Sequence, residues 1–488
     1  MILMQEGAAA SPARSPQRRI GVHDPEGRAV AIVGAGFSGT MAAIHLRRVL
    51  PPDCVVYLFE RSGRFARGPA YAASDAPHLL NVRTANMSAL PDDPGHFERW
   101  MSAQAAHWPD EIHTTEAGTF ATRRIYGRYL RALLYEEMTL SGGRVRLCAD
   151  EAVELERADG HYRLRCASGR EIAVSAIVVA TGNLPSSVRD DGVVFHDPWA
   201  ACATAGLRPD EPVLIVGTGL TMVDLALSMT GGGFTGPIIA LSRRGLVPQR
   251  HGEPQPAVPC APFTLSECRS LSSLMRLVRG RIREAAAAGR DWRAVIDGLR
   301  PVTTGLWHAL PLAERDRFLR HLRPYWDIHR HRLAPGPADA FARLVHDGVL
   351  RLKRGRVQAV EVGSGPHGKV ARVDIRDRGA EAAERIEVQR VIFATGIGTR
   401  AKSCGLIAGL IDAGMARTDL HGMGIEVSET LQVKDRAGAR GEAVWALGPI
   451  VRGVFWECTA VPDIRIQART VADEVARYLE TTDRPVLQ

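Results

Sequence analysis

Residues 29–60 read AVAIVGAGFSGTMAAIHLRRVLPPDCVVYLFE. An apolar run over 29–33 gives way to a turn carrying Gly34, Gly36 and Gly39, an amphipathic helix pattern follows, and a second apolar run ends at Glu60, 21 residues after Gly39. Three glycines alone are weak evidence. Here strand, turn, helix, strand and terminal acid fall in the order that a nucleotide-binding βαβ unit requires. Gly34 permits the tight turn, Gly36 lets the backbone approach a pyrophosphate, and Gly39 lets helix lie against strand. The helix amino terminus supplies unpaired N–H groups and a partial positive charge. Glu60 accepts hydrogen bonds from a ribose and repels a 2′-phosphate, which suits the adenosine of FAD or NAD.

The plan recurs. Residues 212–229 read PVLIVGTGLTMVDLALSM, with Gly217 and Gly219 at the first two glycine positions and Met222 at the third. A larger third residue implies a slightly wider helix approach and leaves the phosphate-facing part, Gly217, Gly219, Leu220 and Thr221, intact. Downstream of each turn, hairpin-like alternation leads to an apolar strand ending Ala-Thr-Gly, at 180–182 and 394–396, which adds Thr181, Gly182, Thr395 and Gly396 to the candidate cofactor residues. This is an internal duplication of architecture. The fold class expected is α/β, with two Rossmann-like dinucleotide-binding domains and a helical insertion.

Composition bounds the rest. With 488 residues, 45% hydrophobic and 24% charged, the chain can bury more than one core. It holds no run of about 18 uncharged apolar residues, so no transmembrane span is expected. Residues 1–27 read as a loose tail without a signal-peptide pattern. The eight cysteines never approach CxxC spacing, which argues against a dithiol reductase or a zinc site and suits reduced thiols in the cytoplasm. Net charge is +8, yet only four of the 62 basic residues are lysines, and residues 262–345 carry 15 arginines against eight acids. That segment reads either as arginine-rich solvated helix faces or as an attraction for an anionic substrate or cofactor. Neither a nucleic-acid nor a membrane partner is expected.

Two such halves resemble the two-dinucleotide-binding-domain flavoproteins, which include flavin monooxygenases, amine N-hydroxylases and disulfide reductases. More narrowly, GPAYAASDAPHLLNVRTANMSALPDDPGHFERW, RRIYGRYL, VLIVGTGLTMVD, LSRRGLVPQRH and WECTAVPDIRIQA look like the FAD-NAD(P)-binding, YdhS-like family. The resemblance spans about residues 28–480. It implies FAD at the first turn, with Phe37 and Ser38 in the GAGFSG form common in monooxygenases, and NAD(P)H at the second. It also implies a discontinuous FAD domain, 28–205 and 391–482, around an NAD(P)H domain, 206–390, with 262–345 as an insertion or lid. In the returning piece Gly448 follows the strand and Asp463 heads a helix, while Pro449 stands where relatives often place an aspartate.

The implied chemistry needs few catalytic side chains. NADPH reduces the flavin at N5, O₂ adds to form a C4a-hydroperoxide, and the protein orients, dries and stabilises it. The motif before the second fingerprint is half kept: Gly192 and His196 hold the spacing, Asp190 replaces a phenylalanine, and Trp199 arrives one residue early. It reads either as that motif or as a domain linker. Asn81, Arg83, Asn86 and Met87 follow the ribose-binding acid, where related N-hydroxylases line flavin and substrate; the alternative is loop packing. His78 reads as a capping or packing residue. His329 and His331, two residues apart on a helix, do not converge on one ion, and no metal is expected.

These readings favour an NADPH-using, FAD-dependent monooxygenase of the N-hydroxylase type, acting with O₂ on a small amine or amino acid, anionic ones among the candidates. Hydride transfer without oxygen insertion, or a non-catalytic flavin redox sensor, are the alternatives. The reductant is read from 242–245, SRRG, which stands after the second strand of the second unit, where Glu60 stands in the first. Ser242, Arg243 and Arg244 there accept a 2′-phosphate, bidentately where a guanidinium meets it.

Overall fold

The computed structural model describes residues 28–71, 78–158, 160–184, 190–259, 267–396 and 404–482. The tail expected over 1–27 lies outside them. Two sheets carry the duplication. In the first, strands run in the order Gln432–Lys434, Arg440–Ala446, Ala176–Val179, Ala29–Val33, Val55–Phe59, Val145–Cys148, parallel except at the first pair. In the second the order is Val194–Phe195, Arg390–Phe393, Val213–Val216, Ile238–Ser242, Leu350–Gly365, all parallel. Each fingerprint strand thus lies between its Ala-Thr-Gly strand and its ribose-side strand, as doubly wound parallel sheets require.

Both central strands of the first sheet, AVAIV and VVYLF, are buried along their whole length, so they are near-continuous apolar runs rather than alternating ones. Helix Phe37–Val49 lies against the C-terminal helix Val461–Thr482, with Met41, Ile44, Val471, Ala472 and Val475 in one core. The outermost parallel strand of this sheet comes from beyond the second domain, so the first domain is closed by chain that has already built the second.

The hairpin material diverges between the halves. In the first, Ala152–Ala158, His161–Cys166 and Glu171–Val174 form a separate antiparallel sheet. In the second, strand Leu350–Gly365 runs out of the parallel sheet and pairs antiparallel with Gly368–Asp377, which pairs with Glu384–Val388.

Between Ile238–Ser242 and Leu350 the chain forms helices Leu271–Ala287, Trp292–Leu299, Thr303–Ala309, Leu312–Arg317 and Arg323–Arg330, then Pro335–His346. Pro335–His346 packs against helix Leu220–Gly231, and Leu333 and Phe341 share a core with Val213 and Ile215. It is the second domain's own crossover helix, so the inserted part ends before it and not at residue 345. The inserted helices dock on the returning segment of the first domain. Trp307, Phe318 and Leu271 pack with Met423 and Trp456, Trp307 Nε1 donates to the Gly453 carbonyl at 3.0 Å, and the His308 ring nitrogen meets the Val454 carbonyl at 2.8 Å.

The two glycine turns have the same steric cause. Gly34 has φ +101° and Gly217 φ +126°, and a Cβ on either would collide with the carbonyl of Ala180 or Ala394, the first residue of the neighbouring Ala-Thr-Gly. Nothing lies within 4 Å of a Cβ on Gly219. Gly217→Ala is therefore expected to destabilise the protein by about 3 kcal/mol or more in chemical denaturation, from strain plus collision. Gly219→Ala should leave stability nearly unchanged and weaken nucleotide binding. Trp307→Ala should cost about 3–5 kcal/mol and expose the inserted helices to limited proteolysis.

Candidate functional site

The first turn presents bare backbone. The helix starting at Phe37 has Gly36 at its N-cap, no side-chain cap and no acid in its first turn. The helix starting at Leu220 is built alike on Gly219. By contrast, helices Arg123–Leu140, Leu271–Ala287 and Trp292–Leu299 are capped by Thr122, Ser270 and Asp291. Each of these two helix ends thus presents its unpaired N–H groups and partial positive charge directly beside a glycine turn.

Glu60 stands half-buried at the mouth of the first turn. Its carboxylate accepts from Ala35 N at 3.3 Å and from Ser62 N and Oγ at 3.0 and 2.7 Å. Opposite, Gly36 and Gly68 face each other with only backbone between them, and Thr181 Oγ1 is buried without a partner. A backbone cradle, an uncapped helix, an orphan hydroxyl and an oriented carboxylate fit the pyrophosphate and ribose of FAD. Ser38 is buried against Gly448, which has φ +77°. Gly448 N donates to Gln467 Oε1 at 2.9 Å, and Cys458 Sγ meets its carbonyl at 3.2 Å. Asp463 opens the C-terminal helix 3.9 Å from Arg300; burial pushes its carboxyl up.

In the second turn a hydroxyl takes the place of the carboxylate. Ser242 Oγ lies 2.9 Å from Thr218 Oγ1 and accepts from Gly245 N at 2.9 Å. The arginines that follow it diverge. Arg243 is exposed. Arg244 lies over the Tyr325 ring at 5.2 Å and donates to the His321 carbonyl at 3.2 Å, so it ties the turn to the insertion. Past Thr395, a Cβ on Gly396 would stand 3.8 Å from the Arg323 guanidinium.

The remaining candidates separate. Asn81 and Leu220 line one narrow interdomain crevice with Arg123 and Asp224. The Asn81 carbonyl meets a His251 ring nitrogen at 3.1 Å. Arg83 donates to the carbonyls of Ala117 and Gly252 at 2.6 and 2.8 Å and so clasps two loops; burial lowers its pKa. Asn86 is exposed, whereas Met87 packs in the first domain's core. His196 stacks flat on Phe393, centroids 4.6 Å apart, just before the second Ala-Thr-Gly. His78 packs edge-on to Trp199 and lies 2.6 Å from Ser228 Oγ; burial lowers its pKa.

Two features escaped the sequence. Arg123 donates to Asp224 at 2.7 Å, joining the RRIYGRYL helix of one domain to the TMVD helix of the other. Burial raises the Asp224 pKa against the pull of Arg123. Both motifs were visible, but nothing in either specifies its partner. The second is Glu457, buried with φ +73°, whose carboxylate accepts from Trp326 Nε1 at 2.7 Å and pairs with Arg330 at 3.4 Å. Burial pushes this carboxyl up, but His331, Arg330 and Trp326 outweigh it and hold the pKa at about 2. Asp327, His331 and Glu457 offer ligand atoms within 4.8 Å of one another. Arg323 pairs with Asp327 at 3.3 Å and Arg330 with Glu457 at 3.4 Å, so both carboxylates of this cluster already have guanidinium partners.

Residues 31–184 match the FAD-NAD(P)-binding family. No curated protein matches the sequence. Among solved structures, the chain is similar to L-lysine 6-monooxygenase from Pseudomonas syringae, at 16% identity and TM-score 0.63, covering 93% of this chain and 99% of that one. It is similar to the ornithine N-hydroxylase of Kutzneria sp. 744 at 14% identity and TM-score 0.60, covering 93% and 100%. The cadaverine monooxygenase of Erwinia amylovora, with FAD bound, aligns at 14% identity and TM-score 0.60 over 92% and 94%. Residues 31–184 therefore match the FAD-NAD(P)-binding family, and the described chain shares its two-sheet fold with these solved structures.

Proposed function

We propose that the protein is an FAD-dependent, NADPH-using monooxygenase of the N-hydroxylase type, acting on a small amine or amino acid. The observation that carries this reading is the pair of uncapped turns with opposite ribose-side chemistry, Glu60 at one and Ser242 with Arg243 at the other. The fold they sit in is shared with ornithine, lysine and cadaverine hydroxylases. When bound, the flavin supplies the acceptance of hydride and the reaction with O₂. The chain's own residues bind and shield. Glu60 takes ribose hydroxyls, Arg243 takes the 2′-phosphate, and the Trp307, Phe318 and Trp456 packing keeps water from the returning segment. Burial pushes the Cys148 thiol up and that of Cys166 to about 12, which disfavours the reactive thiolate at these two positions.

Arg243→Ala should raise KM for NADPH at least about tenfold, the loss of one charge-assisted contact, and leave KM for NADH nearly unchanged. Arg244→Ala should also raise the NADPH value, through the loosened turn, and should raise the NADH value with it. Equal effects of Arg243→Ala on both cofactors would overturn the assignment. The reaction is tested by NADPH consumption over a panel of amines and amino acids under ¹⁸O₂. One labelled oxygen in the product is expected. Substrate oxidation with no label would replace this reading by hydride transfer alone.

A further inference from the structure

The arginine excess of the insertion has a focus that neither nucleotide turn uses. Helix Leu271–Ala287 and the turns around Arg317–Leu322 line an open groove of about 430 Å³. This lies in the range of roughly 300–1,000 Å³ that small-molecule sites occupy. Its apolar lining is Leu271, Met275 and Leu322; its polar lining is dominated by Arg276, Arg279, Arg317 and His321.

The frame is held by its own hydrogen bonds. Ser270 caps the helix, accepting from Ser273 N at 3.1 Å, and Leu271 N donates to Glu314 Oε2 at 2.6 Å. Glu314 Oε1 lies 3.7 Å from Arg317, while its Oε2 accepts from that backbone group. Arg276 bonds the Ser273 hydroxyl at 3.1 Å, and among the described residues Arg279 has no side-chain partner. Three exposed guanidiniums, one of them 3.7 Å from the Glu314 carboxylate, line one apolar floor, and an anion placed among them is attracted by all three. Guanidinium groups match carboxylate and phosphate oxygens geometrically, while the floor takes hydrocarbon.

We propose that this groove binds a soluble small molecule with a carboxylate or phosphate head and an apolar chain. The site is distinct from the second nucleotide turn. It touches that turn through His321, which lines the groove and whose carbonyl accepts from Arg244. The proposal does not depend on the reaction assigned above.

Calorimetric titration of the FAD-loaded full chain with octyl phosphate, octanoate, octylamine and octanol tests it. Binding of the two anions is expected, weakened by salt and unchanged by saturating NADPH, with none of the amine or alcohol. The double variant Arg276→Gln, Arg279→Gln should lose about tenfold affinity per guanidinium removed. Both side chains are exposed, so thermal stability serves as the folding control. Met275→Trp should block the same titration by filling the floor. Octanol binding as tightly as octyl phosphate would overturn the proposal, as would double-variant affinity equal to wild type or displacement by NADPH. Binding to phosphatidic acid vesicles with none to the soluble anions would overturn it in favour of a membrane surface.

Discussion

The contact between a bare glycine and the carbonyl of a neighbouring strand organises each half of this molecule. Where Gly34 meets Ala180, and Gly217 meets Ala394, no side chain fits and φ is positive. That collision-free approach brings the fingerprint strand, its turn and the Ala-Thr-Gly strand to one end of the sheet. The helix that leaves each turn then starts without a cap, because the residues that could supply one are glycines. The third point of each site follows from parallel pairing. The strand beside the fingerprint ends level with the turn, so its terminal residue, Glu60 or Ser242, bonds the residue after the first glycine in both halves. One steric requirement, met twice, therefore sets the anion site and the ribose selector together.

The third glycine of the first fingerprint shows how far the duplication tolerates change. A Cβ on Gly39 would run into the Gly34 carbonyl, whereas Met222 is fully buried at the equivalent place. The second helix therefore stands where a long, flexible side chain fills the gap. Packing changes, while the phosphate-facing backbone keeps its arrangement.

Elements whose logic is local were legible in the sequence: strand ends, glycine turns, the acid after one strand and the arginines after the other. Spacing along the chain reports them because a βαβ unit is built from consecutive residues. Contacts made by chain closure were not legible. Arg123 and Asp224 are 101 residues apart, and Trp307 bonds a carbonyl 146 residues away. A hydrophobic or charged residue advertises that it needs a partner, not which one. The same limit explains the boundary of the insertion. Residues 335–346 carry a helix pattern like those before them, and only their packing on Leu220–Gly231 separates a crossover helix from an inserted one.

Beyond solvated basic faces, an attraction for an anion or a lid, the contacts of the insertion make it a tie between the two halves. Helix Arg323–Arg330 touches both halves within eight residues. Tyr325 receives Arg244 from the second nucleotide turn, and Trp326 donates to Glu457 in the returning segment of the first domain. Arg330 pairs with the same Glu457, and Arg323 lies between Gly396 and the Trp456 ring. A buried carboxylate needs its partners, because removing either cation leaves an uncompensated charge in a low dielectric. The helix is therefore held to the first domain by a charge that cannot be left unpaired, and to the second by a surface arginine. The two attachments differ in strength: Glu457 and Arg330 are nearly dry, while Arg244 bonds in partial exposure. The Arg244 contact is therefore the weaker of the two attachments, and the helix belongs more to the returning segment of the first domain than to the second nucleotide turn.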